Sequence, residues 1–185
     1  VGHRRTVSGG IQGALAAFGL GGAPRGESLL ADVETLTVVE VAPDGDLLLG
    51  GTQRQADPDP WFGRYDLRTD TTRWSTTRTR PGSGDIVRGL AFREDLGLYY
   101  AGEAGRDTFV VRLDARTGAT VWDVLVPAPE GGLHTHASGL AITDTQVFVA
   151  GNQAYEVTSE YGLDTDGWVA AFTLDGAPLW ERFDG

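Results

Sequence analysis

The chain has 185 residues, 41% of them hydrophobic and 22% charged, enough for one domain that buries roughly 70% of the surface its unfolded chain would expose. Its 26 acidic and 15 basic residues leave a formal net charge of -11, which opposes docking on nucleic acid or an anionic lipid surface. Cysteine is absent, which excludes disulfides, thiolate zinc sites and cysteine nucleophiles together, and no run reaches the ~20 apolar residues of a transmembrane helix.

Residues 1–34 admit three readings. Arg4-Arg5 ahead of the Gly- and Ala-rich run from Gly9 to Ala23 resembles a twin-arginine export signal, which would place the protein in the periplasm, the envelope or the medium. The same stretch suits a disordered tail. In the third reading Ala14 to Gly19 is the outer strand of a unit like those that follow, with Phe18-Gly19 aligned on Phe183-Asp184. The opening Val1 and the abrupt close at Gly185 suggest cut ends.

A repeat of about fifty residues fills the remainder, 35–185. Val38 to Trp74, Gly89 to Trp122 and Gly139 to Trp180 are three copies, with Gly51, Gly102 and Gly151 at matching positions. Short apolar runs such as Leu47-Leu48-Leu49, Leu98-Tyr99-Tyr100 and Val147-Phe148-Val149 read as strands, and turn signals such as Pro43-Asp44-Gly45-Asp46 and Arg116-Thr117-Gly118 separate them. Each copy predicts a four-stranded antiparallel meander. The fold class is therefore all-β, with about three β-propeller blades at 35–80, 85–127 and 137–185, forming part of a larger or partnered propeller.

Leu113 to Trp122 resembles the repeat of the PQQ-like, or quinoprotein-type, β-propellers: Asp114, Thr117, Gly118 and Trp122 fall on that pattern, while Arg112 stands where the family prefers Ala. Tyr65 to Trp74 keeps the Asp, Thr and Trp but carries Asp70 in place of Gly. Asp166 to Trp180 is more similar to the related bacterial seven-bladed-propeller repeats. Read physically, Asp followed by Thr-Gly builds a tight turn whose carboxylate and hydroxyl accept backbone N–H groups, and the Trp four residues later packs on the neighbouring blade. Trp74, Trp122 and Trp180 are thus expected to be staples between blades.

The resemblance implies PQQ and calcium enclosed by eight blades, yet three cysteine-free blades cannot enclose a quinone alone, so neither cofactor is expected. No Gly-x-Ser-x-Gly elbow or P-loop occurs. His134 and His136 would project to one side of an extended segment and share a metal, or else are two solvated loop histidines. Asp164 to Gly167, with Glu160 upstream, reads as the opening of a calcium loop or as a turn before Trp168.

In such meanders the first–second and third–fourth turns lie at one end, and here they are short. The irregular sequence gathers at the other end, which makes it the expected binding face, with Arg54, Asp57, Asp59, His134, His136, Tyr155, Glu156, Glu160, Tyr161, Asp164 and Asp166 as candidate ligand residues. Its acidity favours a cation, a sugar or a basic partner over a phosphate. The functional expectation is a non-catalytic, extracytoplasmic binding scaffold that engages a protein partner or a second copy through open blade edges. A fragment of a quinoprotein dehydrogenase and a structural repeat of an envelope assembly are the alternatives.

Overall fold

The computed structural model describes residues 1–5, 10–53, 58–79, 84–130, 132–155 and 164–184, with backbone alone at Tyr155 and Asp164. Among them there are strands and no helix. Three four-stranded sheets match the three repeats: β4 to β7 (Val33–Val41, Leu47–Gln53, Pro60–Asp66, Thr71–Thr77), β8 to β11 (Ile86–Arg93, Gly97–Ala104, Asp107–Leu113, Thr120–Val126) and β12 to β15 (Gly132–Ile142, Gln146–Tyr155, Asp164–Thr173, Pro178–Asp184). Every strand pairs antiparallel with its sequence neighbours within its sheet, so each repeat is a blade. The third blade begins at Gly132, ahead of the expected residue 137.

A fourth sheet lies in residues 1–34: β1 (Gly2–Arg5), β2 (Ile11–Phe18) and β3 (Pro24–Leu30), in that order. Its registers identify it. Phe18 pairs with Pro24 across a bulge, as Phe172 pairs with Pro178, and Gly22 (φ 82°) turns the chain as Gly176 (φ 85°) does. Phe18 therefore corresponds to Phe172 rather than to Phe183, and Ala14 to Phe18 lie on the third-strand equivalent, with β3 outermost. Gly2 pairs with Ala14 as Gly151 pairs with Trp168, so β1 is the equivalent of a second strand.

Strand periodicity explains why the second blade is apolar on both faces. Successive side chains point to opposite sides, so Leu98 and Tyr100 pack toward the first blade with Leu48 and Phe62, while Tyr99 and Ala101 pack toward the third with Val147, Val149 and Trp168. The core is thus a series of layers between blades. A third layer, including Leu15, Leu36, Leu49 and Trp61, joins the N-terminal sheet to the first blade. Tyr100 is fully buried, and its hydroxyl donates to the Leu49 carbonyl of the first blade at 3.0 Å; burial pushes its titration well above the usual tyrosine range.

The Asp-Thr-Gly turn forms as its chemistry requires. Asp114 Oδ1 accepts the Arg116 and Thr117 amides at 3.0 and 2.9 Å and the Thr117 hydroxyl at 2.9 Å, which holds the carboxyl below its usual pKa. Gly118 takes φ 74°, and the ring of Trp74 from the preceding blade covers it so closely that a Cβ there would sit 2.5 Å from Trp74 Cε3. Trp74 Nε1 donates to the Ala115 carbonyl at 3.1 Å. Trp122 repeats this arrangement over Gly176, donating to the Leu174 carbonyl at 2.8 Å. Trp180 instead packs beside Phe148 of its own blade and is 39% exposed.

Trp122→Ala removes a ring packed across a blade joint together with its hydrogen bond. It is expected to lower stability by about 3 kcal/mol, the lower end for large aromatics because the side chain is only half-buried. Chemical denaturation checks this, and a midpoint unchanged from the parent would contradict the staple role.

Candidate functional site

The innermost strands β4, β8 and β12 carry a register shift at the same place, between Leu36 and Val38, Val87 and Gly89, and Ala137 and Gly139. The extra residues are Thr37, Arg88 and Ser138. At each bulge the carbonyl of the residue two positions earlier presses on the neighbouring strand. A Cβ at Gly51, Gly102 or Gly151 would stand 2.1, 2.1 or 1.7 Å from the oxygens of Thr35, Ile86 and His136, so only glycine fits there. Bulges re-aim side chains. Thr37 folds back and donates to the Val87 carbonyl at 2.6 Å, whereas Arg88 and Ser138 are exposed on the rim of a cleft.

This cleft, of about 380 Å³, lies between the second and third blades and is lined by Arg88, Glu103, His136, Ser138 and Asn152. Glu103 organises it. Its carboxylate, with the side chain 9% exposed, takes Arg88 Nε on one oxygen at 2.8 Å and His136 Nδ1 on the other at 2.9 Å, spanning both blades. A carboxylate only accepts, so Nδ1 carries the proton and Nε2 is the second nitrogen through which His136 can meet a ligand. The imidazole of His134 lies edge-on to His136, ring centroids 4.0 Å apart.

The start of β12 is fastened from the second blade. The Thr135 amide donates to the Arg106 carbonyl at 2.9 Å, Thr108 Oγ1 donates to the Thr135 carbonyl at 3.0 Å, and the Arg106 guanidinium reaches the Gly132 and Leu133 carbonyls. Gln153 Nε2 donates to the buried Thr135 hydroxyl at 3.2 Å. His134 and His136 are consequently strand residues paired with Ala154 and Asn152, not loop residues. Burial, with the neighbouring His136 and Arg106, lowers the His134 pKa, against an opposing pull from Glu103.

The other expected site residues are distributed differently. Asp164 and Asp166 belong to β14, opposite Tyr155 and Gln153, so the stretch before Trp168 is ladder rather than turn or calcium loop. Among the described residues no group of three or more His, Asp or Glu is placed to hold a metal ion. Asp59 is buried and structural: its carboxylate accepts the Thr79 hydroxyl at 2.9 Å and its carbonyl the Gln53 amide at 2.8 Å. Asp107, at the matching position of the second blade, accepts the Ala128 amide at 2.9 Å, and Asp166 holds that position in the third. Arg54, Asp57, Glu156, Glu160 and Tyr161 lie outside the described residues.

Sequence reasoning missed Arg88, Glu103, Ser138 and Asn152. The signal was there: Glu103 and Asn152 each follow a matching glycine of the repeat, and Ile86-Val87-Arg88 aligns with His136-Ala137-Ser138. No protein-family model matches the chain, and no curated protein matches it.

His134 is expected to titrate below 6.5 in the folded protein. The unfolded chain then takes up the proton first, so this residue's contribution to stability is full above 6.5 and falls as the pH drops through that window. NMR titration of the imidazole checks it, and a midpoint at or above 6.5 would contradict the burial of His134.

Proposed function

We propose that the chain is a non-catalytic propeller scaffold of the quinoprotein-like repeat type, acting outside the cytoplasm, which binds a neutral polyhydroxyl ligand such as a sugar at the Glu103 cleft. The observation carrying this reading is the Arg88–Glu103–His136 chain across two blades. The Arg88 and Glu103 charges offset each other in a salt bridge, and the cleft offers further hydrogen-bonding groups in His136, the Ser138 hydroxyl and the Asn152 amide. Rigid strands hold these groups, which suits recognition, since little ordering entropy is lost on binding. Partner binding through an open blade edge fits the exposed Val169 and Trp180 beside Phe148. Among the described residues no helix is long and apolar enough to cross a membrane.

Chemical-shift mapping with a panel of mono- and disaccharides tests the cleft. Perturbations are expected at Arg88, Glu103, His136 and Asn152, and Asn152→Ala is expected to weaken a hit by about tenfold, the worth of one or two neutral hydrogen bonds. Shifts confined to the short turns around Asp44, Asp95 and Gly118 would refute the site. For the blade edge, sedimentation of the parent is expected to show self-association that Trp180→Arg reduces; a monomer at all concentrations would rule out self-association.

A further inference from the structure

The joint between the N-terminal sheet and the first blade is built from the same register positions as the two Trp-stapled joints, but with its filling removed. The pair that precedes the outer-strand bulge is Arg64 with Trp74 in the first blade and Arg112 with Trp122 in the second, whereas in the N-terminal sheet it is Ala17 with Gly26. In the stapled joints both members of the pair donate to one carbonyl of the next blade. Arg64 Nη1 and Trp74 Nε1 reach the Ala115 oxygen at 3.0 and 3.1 Å, and Arg112 Nη1 and Trp122 Nε1 reach the Leu174 oxygen at 3.3 and 2.8 Å. The matching carbonyl of the first blade belongs to Leu67, and neither Ala17 nor Gly26 has a side-chain donor to offer it.

The glycine on which the Trp ring lies has changed in concert. At the position of Gly118 and Gly176 the first blade has Asp70, the one non-glycine residue with positive φ among those described (57°), whose Cβ occupies space that a Trp ring fills in the other joints. Asp70 Oδ1 accepts hydroxyls from Ser28, at 2.5 Å, and Tyr65, which leaves Oδ2 for a further donor. What remains is a cleft of about 500 Å³, the size of a small-molecule site, with Leu15 and Leu47 on its apolar wall and Arg25, Glu27, Leu67 and Asp70 at its polar edge, where Glu27 is already paired with Arg4.

We infer that this cleft binds a small aromatic amine of the indole-ethylamine class, whose ring takes the place of the missing Trp against the apolar wall, whose ring N–H donates to the Leu67 carbonyl and whose ammonium meets Asp70. The joint is a vacancy for that chemistry because the molecule fills its two sister joints with an indole and a cationic side chain on the same acceptor. Asp70 supplies the anion that a detached cation needs, and its side chain keeps the ring from lying as deep as Trp74 does over Gly118. The cleft sits at the short-turn end, away from the Glu103 cluster, so the two sites stand or fall separately.

Calorimetric titration of the full chain with tryptamine tests the inference. Saturable one-to-one binding is expected, weaker by about fivefold or more both for indole, which lacks the amine, and for 2-phenylethylamine, which lacks the ring N–H. Gly26→Trp combined with Asp70→Gly rebuilds the sister joint; it is expected to abolish binding and to raise Tm, and a Cβ at Gly26 would meet no atom within 4 Å. Ala17→Arg is the second blocking variant, expected to abolish binding with Tm unchanged or raised. Absence of saturable tryptamine binding, equal affinity for the three ligands, or parent-like binding by either folded variant would overturn the assignment.

Discussion

The structure rests on the burial of both faces of each inner blade against its neighbours, because a single four-stranded meander cannot cover its own apolar residues. At the outer edge of two joints one device repeats: a Trp ring lies on a glycine in the left-handed conformation and its N–H donates to a turn carbonyl of the next blade. The device demands three things at once, namely a glycine without Cβ, a turn that presents its carbonyl, and a Trp at the residue opposite the preceding strand. Changing one without the others leaves a clash or a gap. At the joint of the N-terminal sheet the turn carbonyl is kept at Leu67, but Gly26 stands where the Trp would be and Asp70 where the glycine would be, and a cleft has opened.

A second constraint acts at the inner edge. The bulges on β4, β8 and β12 push a carbonyl against the second strand, and the invariant glycines accept it. Each bulge leaves one side chain unpaired with the ladder. In the first blade that residue is Thr37, which bonds the second blade and stays structural; in the second and third it is Arg88 and Ser138, which reach a cleft. One backbone feature thus serves cohesion in one blade and recognition in another, according to the side chain it carries.

The ion pairs of the first blade show the same economy. Asp46, with its side chain 1% exposed, takes Arg64 at 2.8 Å and Arg73 at 2.6 Å, and Arg73 also reaches Asp66 at 2.7 Å. The Asp66 carboxyl titrates near 2, chiefly because the Arg68 amide donates to it. Buried charge here is matched by partners that it shares across strands, as a low-dielectric setting requires.

How much of this could be read in the chain follows from how local each cause is. The meanders, their short turns and the glycines of the repeat were legible because alternation, turn chemistry and a fifty-residue period are written in contiguous residues; Asp114, Thr117 and Gly118 make the turn their types dictate. The staple role of Trp74 and Trp122 was legible for the same reason, since a Trp at a fixed distance past that turn has one neighbour to pack on. The sheet in residues 1–34 and the strand placement of His134 and Asp166 were not, because both depend on pairing partners: β2 on β3 in the one case, and β12 and β14 on β13 in the other. Arg88, Glu103 and His136 are 15 and 33 residues apart along the chain, and no local rule predicts that a bulge on one blade and a strand of the next will place them on a single carboxylate. The sequence by itself determined the blades, since each is specified by interactions within a single copy of the repeat; only the tertiary structure decided the two clefts, because each is made where neighbouring blades meet.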